Sequence, residues 1–327
     1  MAFYNFGKRT LLAGDLRLNR GVDVLRDPIV GTTYFVDATN GLDANSGKHW
    51  SSAFLTMSKA FTSVASGDRI FFTGKVREQL TAPVQVFDVE VIGIGTRPRH
   101  ADSTPSGGET ATAQWAAPTS PTAATPLVKV QQQGWVFRNI LFAGPTTAND
   151  NNACILLNRT TDSGNSERDA SHVSVIGCRF ASGYHGIYDA GGCVNVLVER
   201  NRFEALEGYC ILGIGNVGAG QSNWEIVNNT FDGFTNGVKI AGIGCRIQNN
   251  TFTDGGTPTT TVVLNTAAAS GVGMGENFIV QNYFQTSTAN FNSPDVVGNS
   301  TDVWAVNASI DSTSAGVGGS YEWGQPA

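Results

Sequence analysis

Charge is scarce in this chain. Lys, Arg, Asp and Glu make up 15% of its 327 residues, where a soluble domain ordinarily spends about a quarter. The formal net charge is −6, so there is no basic excess to meet a phosphate backbone, and a nucleic-acid partner is excluded on that ground. No stretch approaches the ~20 consecutive apolar residues of a membrane span. The opening, "MAFYNFGKRTLLAGDLRLNRG", has no long apolar run after its charges. It does not read as a signal peptide, and the chain is expected to fold in a cytoplasm. Cysteine is sparse and odd in number: Cys154, Cys178, Cys193, Cys210 and Cys245, with no C-x-x-C pair. That excludes a disulfide framework and a zinc knuckle, and leaves buried small hydrophobes. The four histidines, His49, His100, His172 and His185, are scattered, no G-x-S-x-G occurs, and nothing in the sequence requires a cofactor.

Glycine (39 residues) with Ser, Thr, Asn and Ala fills the gap, and it fills it periodically. "HVSVIGCRF" (172–180), "NVLVERNRF" (195–203), "NWEIVNNTF" (223–231), "GCRIQNNTF" (244–252) and "NFIVQNYF" (277–284) share one pattern, with "GWVFRNILF" (134–142) as a looser member. Their closing residues, Phe142, Phe180, Phe203, Phe231, Phe252 and Phe284, are 21 to 38 residues apart. A second short apolar run lies inside each period: "ACILLNR", "HGIYDAG", "YCILGIG", "NGVKIAG" and "TTVVLNT". Each period thus holds at least two short strands, broken by Gly, Asn and Asp, with no room for a helix. A sandwich would space its strands 8–12 residues apart with hairpin reversals. Here one unit returns in the same order, which predicts an all-β, single-stranded parallel β-helix. The Phe residues are expected to stack inside the tube. Asn201, Asn229, Asn250 and Asn282, just before them, are expected to turn the corner, tolerating left-handed angles and bonding along the stack, with Cys178 in the same place.

The apolar positions Phe54, Leu55, Met57, Ala60, Phe61 and Val64 fit a 3.6-residue period and predict one helix over about 53–66, ended by Gly67-Asp68. It would cap the open end of the tube. Three segments fall outside the coils. Residues 1–32 form an arm with five basic residues (Lys8, Arg9, Arg17, Arg20, Arg26) against Asp15, Asp23 and Asp27. Residues 101–126 read as a Pro/Ser/Thr/Ala-rich loop insertion. Residues 285–327 read as an irregular tail that packs on the tube or on a partner. The β-helix itself is expected over 33–284.

The string Val36-Asp37, Asn40-Gly41, Asp43, Ser46-Gly47, then helix, Gly67-Asp68-x-Ile70 and strand resembles the opening of right-handed, pectate-lyase-like parallel β-helix proteins, which include phage virion components such as tailspikes, tail fibres and capsid-decorating proteins. The resemblance implies a structural virion protein, a capsid decoration or short spike, that folds in the host cytoplasm, forms a homotrimer and attaches to other capsid or tail proteins through residues 1–32. The alternative it implies is a tailspike-type enzyme that binds and cleaves a bacterial surface polysaccharide, as a glycoside hydrolase or polysaccharide lyase.

Candidate site residues follow from chemistry. Sugar hydrolysis needs two carboxyls roughly 5–10 Å apart, and stacked strands lie about 4.8 Å apart. Asp189, Glu204, Glu207 and Asp232 lie in adjacent coils near the turn after Phe, and are the acid candidates. Tyr184, His185, Tyr188 and Tyr209 are the candidate glycan or interface patch. Lyase chemistry would need clustered Asp and a basic Arg; Arg200 and Arg202 beside Glu199 lack the acidic run. Asp37, Asn40, Asp43 and Asn45 space oxygen ligands as a weak calcium loop would, although Asx turns explain the same residues. "GIGNVG" (213–218) matches G-x-G-x-x-G, but a turn and strand follow where a dinucleotide site needs a helix.

Overall fold

The computed structural model describes residues 31–95, 113–160, 168–213, 221–253, 275–286 and 301–311, with short strands at Tyr4–Phe6, Arg9–Leu11, Leu264–Asn265 and Val296–Val297. Three long sheets of ten, nine and eight strands run along the chain. Successive coils add one strand to each, and every described pairing within them is parallel, as between Leu197–Glu199 and Glu225–Val227 or Arg202–Glu204 and Thr230–Asp232. The chain is a parallel β-helix.

Three-residue strands dominate because a coil must turn three times in as few as 21 residues. The corner between the first and second sheets takes two residues. The first adopts left-handed backbone angles: Asn139, Gly177, Arg200, Asn228, Asn249, Gln281 and Val306 all have φ between 54° and 64°. The second is buried: Ile140, Cys178 and thereafter the Asn of the repeat. The left-handed angle therefore falls one residue before Asn201, Asn229, Asn250 and Asn282, not on them. Those side chains are needed inside, where each bonds the next coil. Asn201 Oδ1 accepts the Cys178 N–H at 2.8 Å, Asn229 accepts that of Asn201 at 2.9 Å, Asn250 that of Asn229 at 2.9 Å and Asn282 that of Asn250 at 3.0 Å. Asn307 accepts that of Asn282 at 2.9 Å. A side chain cannot satisfy this ladder and the solvent at once, so the exposed, strained position goes to its neighbour.

At Val306 the left-handed corner is filled by a β-branched residue with φ of 55°, the conformation such side chains tolerate least. Val306→Asn, which installs the residue type used at three other corners, is expected to stabilise the protein by about 1 kcal/mol. A urea melt in which the variant is no more stable than the parent would contradict this.

The rings stack as the repeat requires. Phe180 and Phe203 lie 4.6 Å apart at 4°, Phe203 and Phe231 5.0 Å at 6°, Phe231 and Phe252 4.5 Å at 4°, and Phe252 and Phe284 5.1 Å at 12°. Trp115 extends the column, 6.2 Å from Phe142. It belongs to the strand Gln114–Ala116, so part of the presumed 101–126 loop is a coil strand. Its surroundings of small residues hide it from any periodicity. All five cysteines are buried and free. Burial pushes the thiols of Cys154, Cys178 and Cys245 up to about 12, which leaves them inert packing groups.

The helix α1 is shorter than the apolar period suggests, Met57–Ser63. The Asp43 carboxylate accepts the Leu55 and Thr56 N–H groups at 2.9 Å, holding that stretch extended and placing the N-cap at Thr56, whose hydroxyl accepts from Lys59 N–H. Glu78, from the first coil, accepts the Met57 and Ser58 N–H groups at 2.8 Å. With its N-terminal donors satisfied, α1 lays Met57, Ala60 and Phe61 on the core. Phe61 meets Trp115 and Trp135 at 5.9 and 5.3 Å, closing the first coil.

At the other end, the strands Val296–Val297, Val303–Ala305 and Ala308–Asp311 continue the three sheets beyond residue 284. Ser309 stands opposite Phe284, so the aromatic signature is lost there although the coil persists. In the arm, Tyr4–Phe6 and Arg9–Leu11 pair antiparallel.

Candidate functional site

The third sheet carries the aromatic candidates. Its strands Ala153–Leu157, His185–Asp189, Tyr209–Gly213 and Asn236–Ile240 pair in register, with Ala153 opposite His185 and Leu156 opposite Tyr188, Tyr188 opposite Leu212, and Leu212 opposite Lys239. Alternation sends Ile187, Ile211 and Val238 into the tube and Tyr188, Leu212 and Lys239 outward. Tyr184, His185, Tyr188 and Tyr209 do come together. The His185 ring lies 4.4 Å from Tyr184, 5.8 Å from Tyr188 and 5.9 Å from Tyr209, and the Lys239 ammonium sits 5.9 Å from the Tyr209 ring.

The four are not equally available. His185 is 1% and Tyr188 8% exposed, so neither offers a ring face to a sugar. Tyr184 and Tyr209 are half-buried and form what surface the patch has. His185 acts as a spacer. Its Nδ1 accepts the Tyr209 N–H at 2.8 Å, which places the neutral ring's proton on Nε2, 3.5 Å from Asp150 Oδ1. Burial lowers its pKa against the opposing pull of Asp150. A Cβ on Gly208 would lie 2.6 Å from this ring, so the glycine makes room for it. Asp150 and Gly208 are missed by sequence reasoning: one sits in an Asn-rich turn, the other looks like any corner glycine.

The acid candidates separate. Asp189 points into the tube and is 0% exposed. It accepts hydrogen bonds from Gly191 N–H at 3.0 Å, Cys193 N–H at 2.9 Å and Gln221 Nε2 at 2.8 Å. Burial raises its pKa, and these donors only partly offset that. It is a structural group. Glu204 and Asp232 do meet across neighbouring strands of the second sheet, as stacking implied. Arg202 pairs with both, reaching Asp232 at 3.0 Å, and Arg179 pairs with Glu204 at 2.7 Å. Glu204 is thus held between two guanidinium groups, while Asp232 gives one oxygen to Arg202. Glu207 is exposed in the turn toward the third sheet, apart from the pair. Arg200 pairs with its neighbour Glu199 at 3.1 Å.

The entry-loop candidates for calcium make hydrogen bonds of the Asx-turn kind. Asp37 Oδ1 accepts the Thr39 and Asn40 N–H groups at 3.0 Å, Asp43 is spent on the helix entry, and Asn45 Nδ2 donates to Ala53 O at 3.0 Å. The Asp37 and Asp43 carboxylates thus face N–H and O–H donors of the chain itself. Among the described residues no His/Cys/Asp/Glu group could hold a metal, and no helix is long and apolar enough to cross a membrane. Of the G-x-G-x-x-G stretch, residues 214–220 lie outside the described residues; a strand, Gln221–Ser222, follows.

The Asp189 environment yields a pH prediction. A carboxyl whose folded pKa is raised contributes stability below its unfolded value, about 3.9, and that contribution is lost as pH rises through the folded value. The stability advantage of the parent over Asp189→Asn should therefore shrink as pH is raised from acid toward neutrality. A difference between the two urea midpoints that does not change with pH would refute it.

No protein-family model matches the chain, and a search of curated proteins finds no match. Solved structures are similar in fold. The surface adhesin PfbA of Streptococcus pneumoniae is 11% identical with a TM-score of 0.47, over 76% of this chain and 74% of that one. The GH136 lacto-N-biosidase from Eubacterium ramulus is 11% identical with a TM-score of 0.42, over 78% and 56%. The pectate lyase Pel9A is 13% identical with a TM-score of 0.40, over 88% and 63%. The chain spans only a little over half of the biosidase. What the chain shares with them is the fold alone, the parallel β-helix.

Proposed function

We propose that this protein is a non-catalytic structural component of a phage virion, a capsid decoration or short spike that works as a homotrimer and attaches through residues 1–32. The observation that carries the non-catalytic part is the fate of the acids. Asp189 is sealed inside the tube, and Glu204 and Asp232 are bridged by Arg202, so the stacked pair that could cleave a glycosidic bond is tied into an ion-pair network. The basic excess of the arm on an acidic body suits docking to an acidic partner surface. The test is deletion of residues 1–32. The truncated chain should retain its β-sheet circular dichroism and fail to enter particles; incorporation at the level of the full chain would overturn the reading.

A second reading, a tailspike-type protein that binds and cleaves a bacterial surface polysaccharide, draws on the half-buried Tyr184 and Tyr209 with Lys239 beside them. It predicts new reducing ends or unsaturated sugars on incubation with host capsule or O-antigen, and the absence of product from any host glycan would remove it.

A further inference from the structure

The ladder of the third sheet changes its acceptor at one level. His185 stands opposite Ala153 and donates its N–H to Asn152 O at 3.1 Å. Asn236 stands opposite Tyr209 and donates to Gly208 O at 3.1 Å. Tyr209 falls opposite His185 on counting back from Ile187 and Ile211, so by the same pattern it would donate to Tyr184 O. That carbonyl instead accepts the Gly208 N–H at 2.7 Å, and the Tyr209 N–H bonds His185 Nδ1 at 2.8 Å. A side chain that titrates near neutrality thus closes a rung that backbone carbonyls close in the adjacent coils.

We infer that this rung is an acid-sensitive latch, which holds Tyr209 while His185 is neutral and releases it when the ring takes up a proton. The proton enters at Nδ1, because Nε2 already carries one toward Asp150. Nδ1 then becomes a donor and faces the Tyr209 N–H, donor against donor. Turning the ring over gives no relief, since both nitrogens of an imidazolium donate. The ring is 1% exposed, so water does not reach the amide as a substitute acceptor. It is also packed on Gly208, where even a Cβ would lie 2.6 Å from it, so it cannot back away on that side. The groups facing the ring are the Asp150 carboxylate from the turn before Ala153–Leu157, Tyr184 and Tyr188 of its own coil, and Tyr209 of the next. Lys239, one coil further, faces Tyr209. Burial raises the Tyr188 and Tyr209 phenols, so neither ionises where His185 does. Burial opposes the imidazolium more than Asp150 favours it. A histidine held below its unfolded pKa of about 6.5 contributes stability above that value, and the contribution is lost as pH falls through the folded one. The loss falls on the start of Tyr209–Gly213, and so on the surface that Tyr184, Tyr209 and Lys239 form. The latch needs no ligand and stands apart from both readings above.

Amide hydrogen exchange followed by NMR on the full chain reads the latch directly. Between about pH 8 and about pH 5 the Tyr209 amide should lose roughly tenfold in protection, at the pH where the His185 ring titrates. Thr230, whose N–H bonds Asn201 O in the second sheet, should keep its protection. His185→Asn sets an amide oxygen near the place of Nδ1 and cannot titrate, so it should leave Tyr209 equally protected at both values. Asp150→Asn changes an exposed side chain and removes the carboxylate that favours the imidazolium, so it should lower the midpoint by about half a pH unit. Protection of Tyr209 that does not change with pH in the parent, or a loss that persists in His185→Asn, overturns the inference. Should His185→Asn fail to fold, Asp150→Asn decides, and a midpoint that stays in place or rises rejects the latch.

Discussion

Phe231→Ala is expected to lower the unfolding free energy by about 4 kcal/mol, the middle of the range for a buried aromatic. The ring is fully buried, with parallel neighbours at 5.0 and 4.5 Å and Phe234 edge-on at 6.4 Å. Its removal opens a cavity in the middle of a column that cannot collapse, because the strand spacing on both sides is set by backbone ladders. Stacking adds about 1 kcal/mol to the area term, so substitutions at Phe231 and Phe203 should couple, while those at Phe180 and Phe252, which do not touch, should add. Coils contact only their neighbours. The defect should therefore also broaden the transition or split it as the two halves lose contact. Urea unfolding with a loss below about 1 kcal/mol would show that the rings do not fill the core as described.

Asn250→Ala should cost a similar amount, about 3–5 kcal/mol, because it leaves buried polar groups without partners on both sides. Asn250 Oδ1 accepts from Asn229 N–H and Nδ2 at 2.9 and 3.0 Å, and its Nδ2 donates to Ile226 O and Asn282 Oδ1 at 2.8 and 3.0 Å. The control is its neighbour. Asn249, with φ of 54°, sits at the left-handed corner, where Asn249→Gly should be neutral within about 0.5 kcal/mol. Two identical residues, adjacent in the chain, should thus differ by several kcal/mol. Equal effects in the same denaturation assay would mean that the ladder is not a structural element.

The repeat made both features legible. Phe and Asn recur at fixed places in "NNTF" and its variants, and a coil that stacks on its copy brings like residues together without further information. Trp115 and the strands after Phe284 were not legible, because there the coil keeps its backbone path but uses other residues: Trp among small side chains, Ser309 where Phe would stand. The helix was legible as a helix but not in its length, since Asp43 and Glu78, distant in sequence, decide where its first N–H groups bond. The aromatic patch was legible as a cluster. Which of its rings stay exposed was not.

The sequence by itself determined the architecture, because a short in–out unit repeated in one direction has few ways to bury its apolar side other than winding into a tube. Only the tertiary structure decided which polar residues remain free to act. Asp189 and Glu204 look alike as letters, yet one lies inside a low-dielectric core and the other between two arginines. That difference depends on which way each strand faces and what the adjacent coil places beside it, and no local stretch of sequence contains either.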